Sequence, residues 1–112
     1  MKSPITTHVL DTSLGRPAEG VPVVLARLTA GSWAELSRRE TDAEGRVRDL
    51  LPAAPLQNGV YRLIFDTGMY FKKQKVETFY PEVVVIFSVA DERHHHVPLL
   101  LNPYGYSTYR GS

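Results

Sequence analysis

The sequence of 112 residues contains no cysteine, and this absence removes several functions at once. Without thiols the chain can form no disulfide framework, no thiolate nucleophile and no cysteine-based zinc site. The same absence leaves the redox compartment of the protein open.

Long apolar runs and an excess of charge of one sign are also missing. No segment approaches the ~20 apolar residues of a membrane-spanning helix, and the N-terminal stretch has no apolar signal-peptide core. The formal net charge is +1, too small to attract nucleic acid or anionic lipid. Neither a phosphate-binding glycine-rich loop nor a Gly-x-Ser-x-Gly nucleophile motif occurs. We therefore expect a cytoplasmic protein with no membrane or nucleic-acid partner.

Short β-branched and aromatic runs, separated by turn signals, make up most of the chain. This pattern is typical of an all-β sandwich or barrel. A short helix is predicted over residues 68–75, with Lys72 and Lys73 on its solvent side. We expect one domain, residues 1–112, with about eight strands in two packed antiparallel sheets. The predicted strands cover residues 5–10, 21–28, 33–39, 46–50, 60–65, 83–89, 93–101 and 104–109.

Three consecutive histidines, His94, His95 and His96, are the first candidates for chemistry. Because side chains alternate along a strand, His94 and His96 share one face and His95 lies on the other. His94 and His96, together with His8 from the first strand, could hold zinc. They could equally act as a general base and its partner, since histidine titrates near neutral pH. A solvated polar strand end is the third interpretation, and the residues alone leave all three open.

An arginine at a strand end is the second candidate. Arg46 follows a turn that ends in Gly45, and a guanidinium there can bind a planar carboxylate, imide or urea-like group through two parallel hydrogen bonds. Arg48 shares the same face, so the spacing does not choose between the two arginines. His8 lies on one side of its strand with Thr6 and, taken alone, favours a structural role.

The C-terminal tail keeps a pattern of aromatic and hydroxyl side chains up to its last residue. Chain ends usually fray and lack pattern, whereas Tyr104 and Tyr106 suit a paired strand. Residues 110–112 place a guanidinium, a hydroxyl and the α-carboxylate close together. A loose tail or a fusion remnant is the alternative, but the regular pattern favours a function.

Taken together, these motifs resemble the transthyretin-like family of 5-hydroxyisourate hydrolases over nearly the whole chain. The terminal Tyr-Arg-Gly-Ser separates the hydrolases from the thyroid-hormone carriers of the same fold. Departures are small, since His95 and Asn102 stand where many relatives have tyrosine and serine. The resemblance is carried by Thr-His-Val-Leu-Asp at 7–11, Gly-Arg-Pro-Ala at 15–18, Thr-Asp-x-x-Gly-Arg at 41–46, Tyr-Phe-Lys-Lys-Gln at 70–74, Phe-Tyr-Pro-Glu at 79–82, His-Val-Pro-Leu-Leu-Leu at 96–101 and Pro-Tyr-Gly-Tyr-Ser-Thr-Tyr-Arg-Gly-Ser at 103–112.

The resemblance implies a transthyretin-like sandwich assembled as a homotetramer, a dimer of dimers, with active sites where dimers meet. It implies hydrolysis of 5-hydroxyisourate to 2-oxo-4-hydroxy-4-carboxy-5-ureidoimidazoline in purine (urate) degradation. The implied catalytic residues, which also bind the substrate, are His8, Arg46 and His96, with Tyr109 and Ser112 completing the binding site.

Among the residues left open above, the resemblance favours Arg46 over Arg48. It also makes His94 a candidate partner of His96, while His95 points away. No cofactor and no metal are expected, because the substrate is already reactive and the histidines can act directly. Two alternatives are kept: a carrier with a ligand channel on the same fold, and a zinc site formed by His8, His94 and His96.

Overall fold

The structure, a computed structural model, describes residues 2–112 and consists of nine strands and one helix. Most of the strands begin and end within two residues of the predicted positions. The elements are β1 (Ile5–Asp11), β2 (Arg16–Pro17), β3 (Pro22–Thr29), β4 (Ser32–Glu40), β5 (Arg46–Val47), β6 (Gly59–Phe65), α1 (Thr67–Lys73), β7 (Val83–Val89), β8 (His95–Asn102) and β9 (Gly105–Thr108).

The strands form two sheets, as predicted. The second sheet has the order β4-β3-β6-β7, and all of its pairs are antiparallel. The first sheet has the order β2-β1-β8-β9, with the short β5 also paired to β1. Among the described strands, β1 and β8 form the one parallel pair. The all-β two-sheet fold is therefore confirmed, although one pair is parallel where we expected only antiparallel pairs.

Local hydrogen bonding explains the differences in element boundaries. Predicted strand 46–50 shrinks to Arg46–Val47, and β2 forms inside a segment that reads as a turn. The helix begins at Thr67, earlier than predicted, because the Asp66 side chain accepts a hydrogen bond from the Met69 N–H (3.0 Å) and caps it. It ends before Lys75, whose φ of 58° is incompatible with a right-handed helix.

Alternation along β1 decides which side chains reach the core and which reach the outer face. Ile5, Thr7, Val9 and Asp11 are buried, whereas the even-numbered residues between them, including His8, are half-buried on the outer face. The core between the sheets is closed by side chains from both sheets and from α1. Its largest fully buried members are Tyr61, Phe65, Phe71, Ile5, Leu25, Leu50, Leu63, Leu99 and Leu101.

A buried carboxylate joins α1 to the first sheet. Asp11 is fully buried, and its Oδ2 accepts a hydrogen bond of 2.7 Å from the Tyr70 hydroxyl. Its Oδ1 accepts from the backbone N–H groups of Ser13 and Leu14, at 3.0 and 3.2 Å. Burial and the bond to Asp11 raise the pKa of Tyr70 to about 12. Since the charge is fully hydrogen-bonded, it can stay buried at acceptable cost.

Within the described residues, no helix is both long and apolar enough to cross a bilayer.

Candidate active site

Strand register brings three of the predicted site residues together on the outer face of the first sheet. His8 on β1 lies directly opposite Arg46 on β5. On the other side of β1, Thr6 lies opposite His96 on β8. His8, Arg46 and His96 are each half-buried, so their side chains are held by neighbours and still reach solvent.

The turn before β5 fixes the position of Arg46. The Asp42 Oδ1 accepts hydrogen bonds from the backbone N–H groups of Glu44 and Arg46, both at 2.9 Å. Gly45 has a φ of 77°, and a Cβ there would overlap the carbonyl oxygen of Val9. Its own carbonyl accepts from the Val9 N–H at 2.7 Å. Only glycine lets the turn approach β1 this closely, and the approach places Arg46 beside His8.

The two arginines that the sequence could not separate differ clearly in their contacts. The Arg48 guanidinium is held by the carboxylates of Asp42 and Glu44, each at 2.8 Å. The Arg46 guanidinium makes no ion pair or hydrogen bond to any of residues 2–112. Its five donors are therefore available to a ligand, which favours Arg46 as the binding arginine.

His8 is held through one ring nitrogen. Its Nε2–H donates to the carbonyl oxygen of Glu44 at 2.9 Å, and because a carbonyl can only accept, this bond leaves Nδ1 unprotonated in the neutral ring. Burial lowers the pKa of His8, and the positive charge of Arg46 lowers it further.

His96 is held in a similar way. Its Nδ1 lies 2.8 Å from the hydroxyl of Thr6, which leaves Nε2 for a ligand or water. Its pKa is lowered by burial first, and then by the charges of Arg46, His94 and His8. Both histidines therefore favour the neutral form near neutral pH, in which each ring can accept a proton.

A cleft of about 1270 Å³ opens beside these residues. It is lined by Arg46, His96 and Ser112 and by the proline- and alanine-rich loop of residues 51–56, among others. His8 stands next to the cleft without lining it. Tyr109 is 57% exposed and also lies off the cleft wall in the single chain. The lining of the cleft therefore includes both charged, hydrogen-bonding groups and apolar ones.

The C-terminal tail lies against β8. The Gly111 N–H donates to the carbonyl oxygen of His96 at 2.8 Å, and this pairing delivers Ser112 to the cleft. A Cβ on Gly111 would lie 2.6 Å from the His96 Cδ2 and 3.2 Å from the Pro98 Cγ. The glycine thus packs its backbone against the His96 ring on the side opposite Thr6.

The other two histidines of the cluster alternate as predicted. His94 is exposed and shares the face of His96, with 6.3 Å between the ring centroids. His95 points the other way and is only 3% exposed, and neither of its ring nitrogens has a hydrogen-bond partner within residues 2–112. In the same part of the chain, His8, His94 and His96 do not form a group that could hold a metal ion.

Three features of the site were missed in the sequence: the Thr6 hydroxyl, the Gly111 contact and the 51–56 loop. Thr6 was placed on the face of His8, but the sequence gives no sign that β8 pairs beside it. Gly111 belongs to the terminal Tyr-Arg-Gly-Ser motif. A glycine in that motif was the one sign in the sequence that the tail packs closely against a site residue. Nothing in the loop itself indicates that it borders a cleft.

Comparison with known proteins gives the family. The model of the HIUase/Transthyretin family matches residues 5–111. The chain belongs to this family. Within the HIUase/transthyretin family, the 5-hydroxyisourate hydrolase of Mus musculus is 48% identical over 113 residues, covering 98% of this chain and 96% of the mouse protein. The resemblance inferred from the motifs is therefore confirmed.

Solved structures of the HIUase/transthyretin family confirm the fold. The 5-hydroxyisourate hydrolase of Klebsiella pneumoniae superposes with a TM-score of 0.86 at 41% identity, covering 96% of this chain and 97% of that one. Sea bream transthyretin, solved in complex with thyroxine, gives a TM-score of 0.92 at 33% identity, covering 97% and 95%. Since the backbone fits both proteins, the residues of the site have to indicate the function.

Proposed function

We propose that this chain is a hydrolase that opens 5-hydroxyisourate in purine (urate) degradation. The observation that carries the proposal is the convergence of Arg46, His96 and Ser112 on one cleft. His8 lies opposite Arg46, next to this cleft. A flat oxidised purine needs hydrogen-bonding partners for its carbonyls and ring nitrogens, and these lining residues can supply them. A carrier of hydrophobic ligands would not need two neutral histidines and a free guanidinium.

His96 is the general base of the proposed mechanism, because it lines the cleft and its free Nε2 is available to water. Water gives a proton to Nε2 and attacks a ring carbonyl of the substrate, and the adjacent carbon–nitrogen bond then breaks. The product is 2-oxo-4-hydroxy-4-carboxy-5-ureidoimidazoline. General base catalysis of this kind contributes about 10²- to 10⁴-fold. No metal enters these steps.

Arg46 binds the substrate and stabilises the charge that develops on the attacked oxygen. Removing one donor of this type costs about 10²- to 10³-fold in kcat. His8, whose position is fixed by Glu44 and by pairing with β5, orients the water or the ring. Ser112 contacts the substrate from the tail, and Tyr109 is proposed to close the site, although it is exposed in the single chain.

We also propose the homotetrameric assembly, a dimer of dimers. Two observations support it: β7 and β9 are edge strands, and exposed apolar side chains lie on or near them, including Ile86 at 59% and Tyr106 at 42%. The cleft of about 1270 Å³ also exceeds the ~300–1000 Å³ usual for drug-sized ligands, so a second copy would narrow it. Light scattering during size-exclusion chromatography tests the assembly. The cytoplasmic location stays a prediction.

The direct test of the function is turnover of freshly generated 5-hydroxyisourate. The purified chain should accelerate decay of the substrate absorbance, and the product should be the ring-opened ureidoimidazoline. If the rate equals the spontaneous rate while thyroxine binds tightly, the carrier alternative holds instead. Activity that is lost after exhaustive chelation and restored by zinc would favour the zinc alternative.

A further inference from the structure

The hydroxyl of Thr6 joins two histidines of the candidate site. Its Oγ1 lies 2.8 Å from the His94 Nε2 and 2.8 Å from the His96 Nδ1. The parallel register of β1 and β8 sets Thr6 opposite His96, and alternation brings His94 to the same face. Because one hydroxyl lies within hydrogen-bond distance of both rings, the three side chains form a continuous chain.

A hydroxyl has a single proton, so the chain has a direction. When the His96 Nδ1 carries a proton and donates to Thr6, the hydroxyl donates to the His94 Nε2, and the His96 Nε2 is unprotonated. When the His94 Nε2 carries the proton, the hydroxyl donates to the His96 Nδ1, and the neutral His96 then holds its proton on Nε2. The direction of the hydroxyl thus decides whether His96 presents a base or an acid to the cleft.

We propose that Thr6 is a positioning residue that passes a proton between His96 and His94 during hydrolysis, an inference that rests on the proposed function. When the His96 Nε2 takes a proton from water, the Nδ1 proton moves to the Thr6 oxygen, and the hydroxyl proton moves to the His94 Nε2. His96 is then neutral, with its proton on Nε2, and His94 carries the charge.

The second half of the reaction reverses this shift. As the carbon–nitrogen bond of the substrate breaks, the leaving nitrogen takes the proton from the His96 Nε2. The His96 Nδ1 recovers a proton from Thr6, and Thr6 recovers one from His94. One water has been added across the bond, and all three side chains return to their starting state, so the atoms and protons balance.

The surroundings of His96 disfavour a positive charge on its ring, and the relay would move that charge to His94. Burial disfavours a lasting positive charge on the His96 ring, and the charges of Arg46 on β5 and His8 on β1 disfavour it further. His94 is exposed, where water stabilises its charged form. The other charged groups of the cleft wall are Lys2, Arg48, Asp49, Glu92 and the α-carboxylate of Ser112.

Kinetics of Thr6 variants test the relay. Thr6→Val should lower kcat by about 10- to 100-fold, since it removes part of the acid–base contribution, with KM changed less than about twofold. Thr6→Ser should restore kcat to within a few-fold, because it keeps the hydroxyl. Thr12→Val is the matched control, because it removes a threonine hydroxyl that bonds β8 far from His96, at the carbonyl oxygen of Leu101 (3.2 Å). Wild-type kcat and pH profile in Thr6→Val, or no recovery in Thr6→Ser, would overturn the relay.

Imidazole ¹⁵N shifts test the same proposal without substrate. In the wild type, the His96 proton should sit on Nδ1 at neutral pH and shift toward Nε2 on acidification, when the Thr6 hydroxyl reverses its direction. In Thr6→Val, acidification should not move the proton of the neutral His96 ring between its two nitrogens. The absence of a tautomer shift in the wild type would contradict the relay. A tautomer shift in a protein that does not turn over 5-hydroxyisourate would leave the relay geometry intact and refute the proposed function.

Discussion

The contact between Gly111 and the His96 ring gives a prediction whose size follows from the structure. In Gly111→Ala, the new Cβ would lie 2.6 Å from the His96 Cδ2, whereas ordinary contacts begin at 3.4 Å. The ring or the tail must therefore move by about 0.8 Å. Since misplacing a catalytic group by about 1 Å can cost about 10²-fold in rate, we expect kcat/KM to fall by about 30- to 100-fold.

Stability should change much less than activity. Overpacking a core costs about 1–3 kcal/mol, but Gly111 lies on a short tail that can shift, so we expect a loss below about 1 kcal/mol. The measurement is kcat/KM on freshly generated 5-hydroxyisourate, alongside the melting temperature. Gly105→Ala is the matched control, because its Cβ would meet only the Asn102 side chain at 3.7 Å, an ordinary contact. Wild-type activity in Gly111→Ala, or an equal loss in Gly105→Ala, would refute the reasoning.

Three further predictions follow from the charged and buried groups. Arg46→Gln should lower kcat/KM by about 10²- to 10³-fold. It should also move the acidic limb of the pH–rate profile to higher pH, because Arg46 lowers the pKa values of His8 and His96. An equal effect in Arg48→Gln would contradict the distinction between the two arginines. Burial lowers the pKa of His95 below its usual 6.5, so the unfolded chain binds more protons below that pH and stability should fall on acidification. In His95→Phe, the free energy of unfolding should fall less on acidification and should rise by about 1–3 kcal/mol overall, because two unpaired buried nitrogens are removed. Urea unfolding at fixed chain concentration measures both effects, and an unchanged pH dependence would contradict this role of His95. Tyr70→Phe should lower the free energy of unfolding by about 1–3 kcal/mol, because it leaves the buried Asp11 Oδ2 without its donor, with kcat nearly unchanged; a loss of activity at unchanged stability would contradict a purely structural role.

Alternation along single strands was predictable from the sequence. It placed Thr6 and His8 on one face of β1, and it separated His94 and His96 from His95. The turn at Gly45 was also predictable, because residues 41–45 carry the polar side chains and the glycine that such a turn requires.

Pairing between distant strands was not predictable in this way. Thr6 and His96 meet because β1 and β8, far apart in the chain, pair in parallel, and no local pattern encodes that register. The choice between Arg46 and Arg48 needed the ion pairs of the folded turn. Alternation turned His95 away from the site, but it could not show that the ring is buried without hydrogen-bond partners.

The most direct test of the proposed site is the turnover of 5-hydroxyisourate by His96→Asn. Asparagine keeps a polar side chain of similar reach but cannot take a proton from water. We expect kcat to fall by about 10²- to 10⁴-fold, with the oligomeric state and the melting temperature close to those of the wild type. Unchanged turnover in His96→Asn would contradict the assignment of His96 as the general base and with it the proposed mechanism.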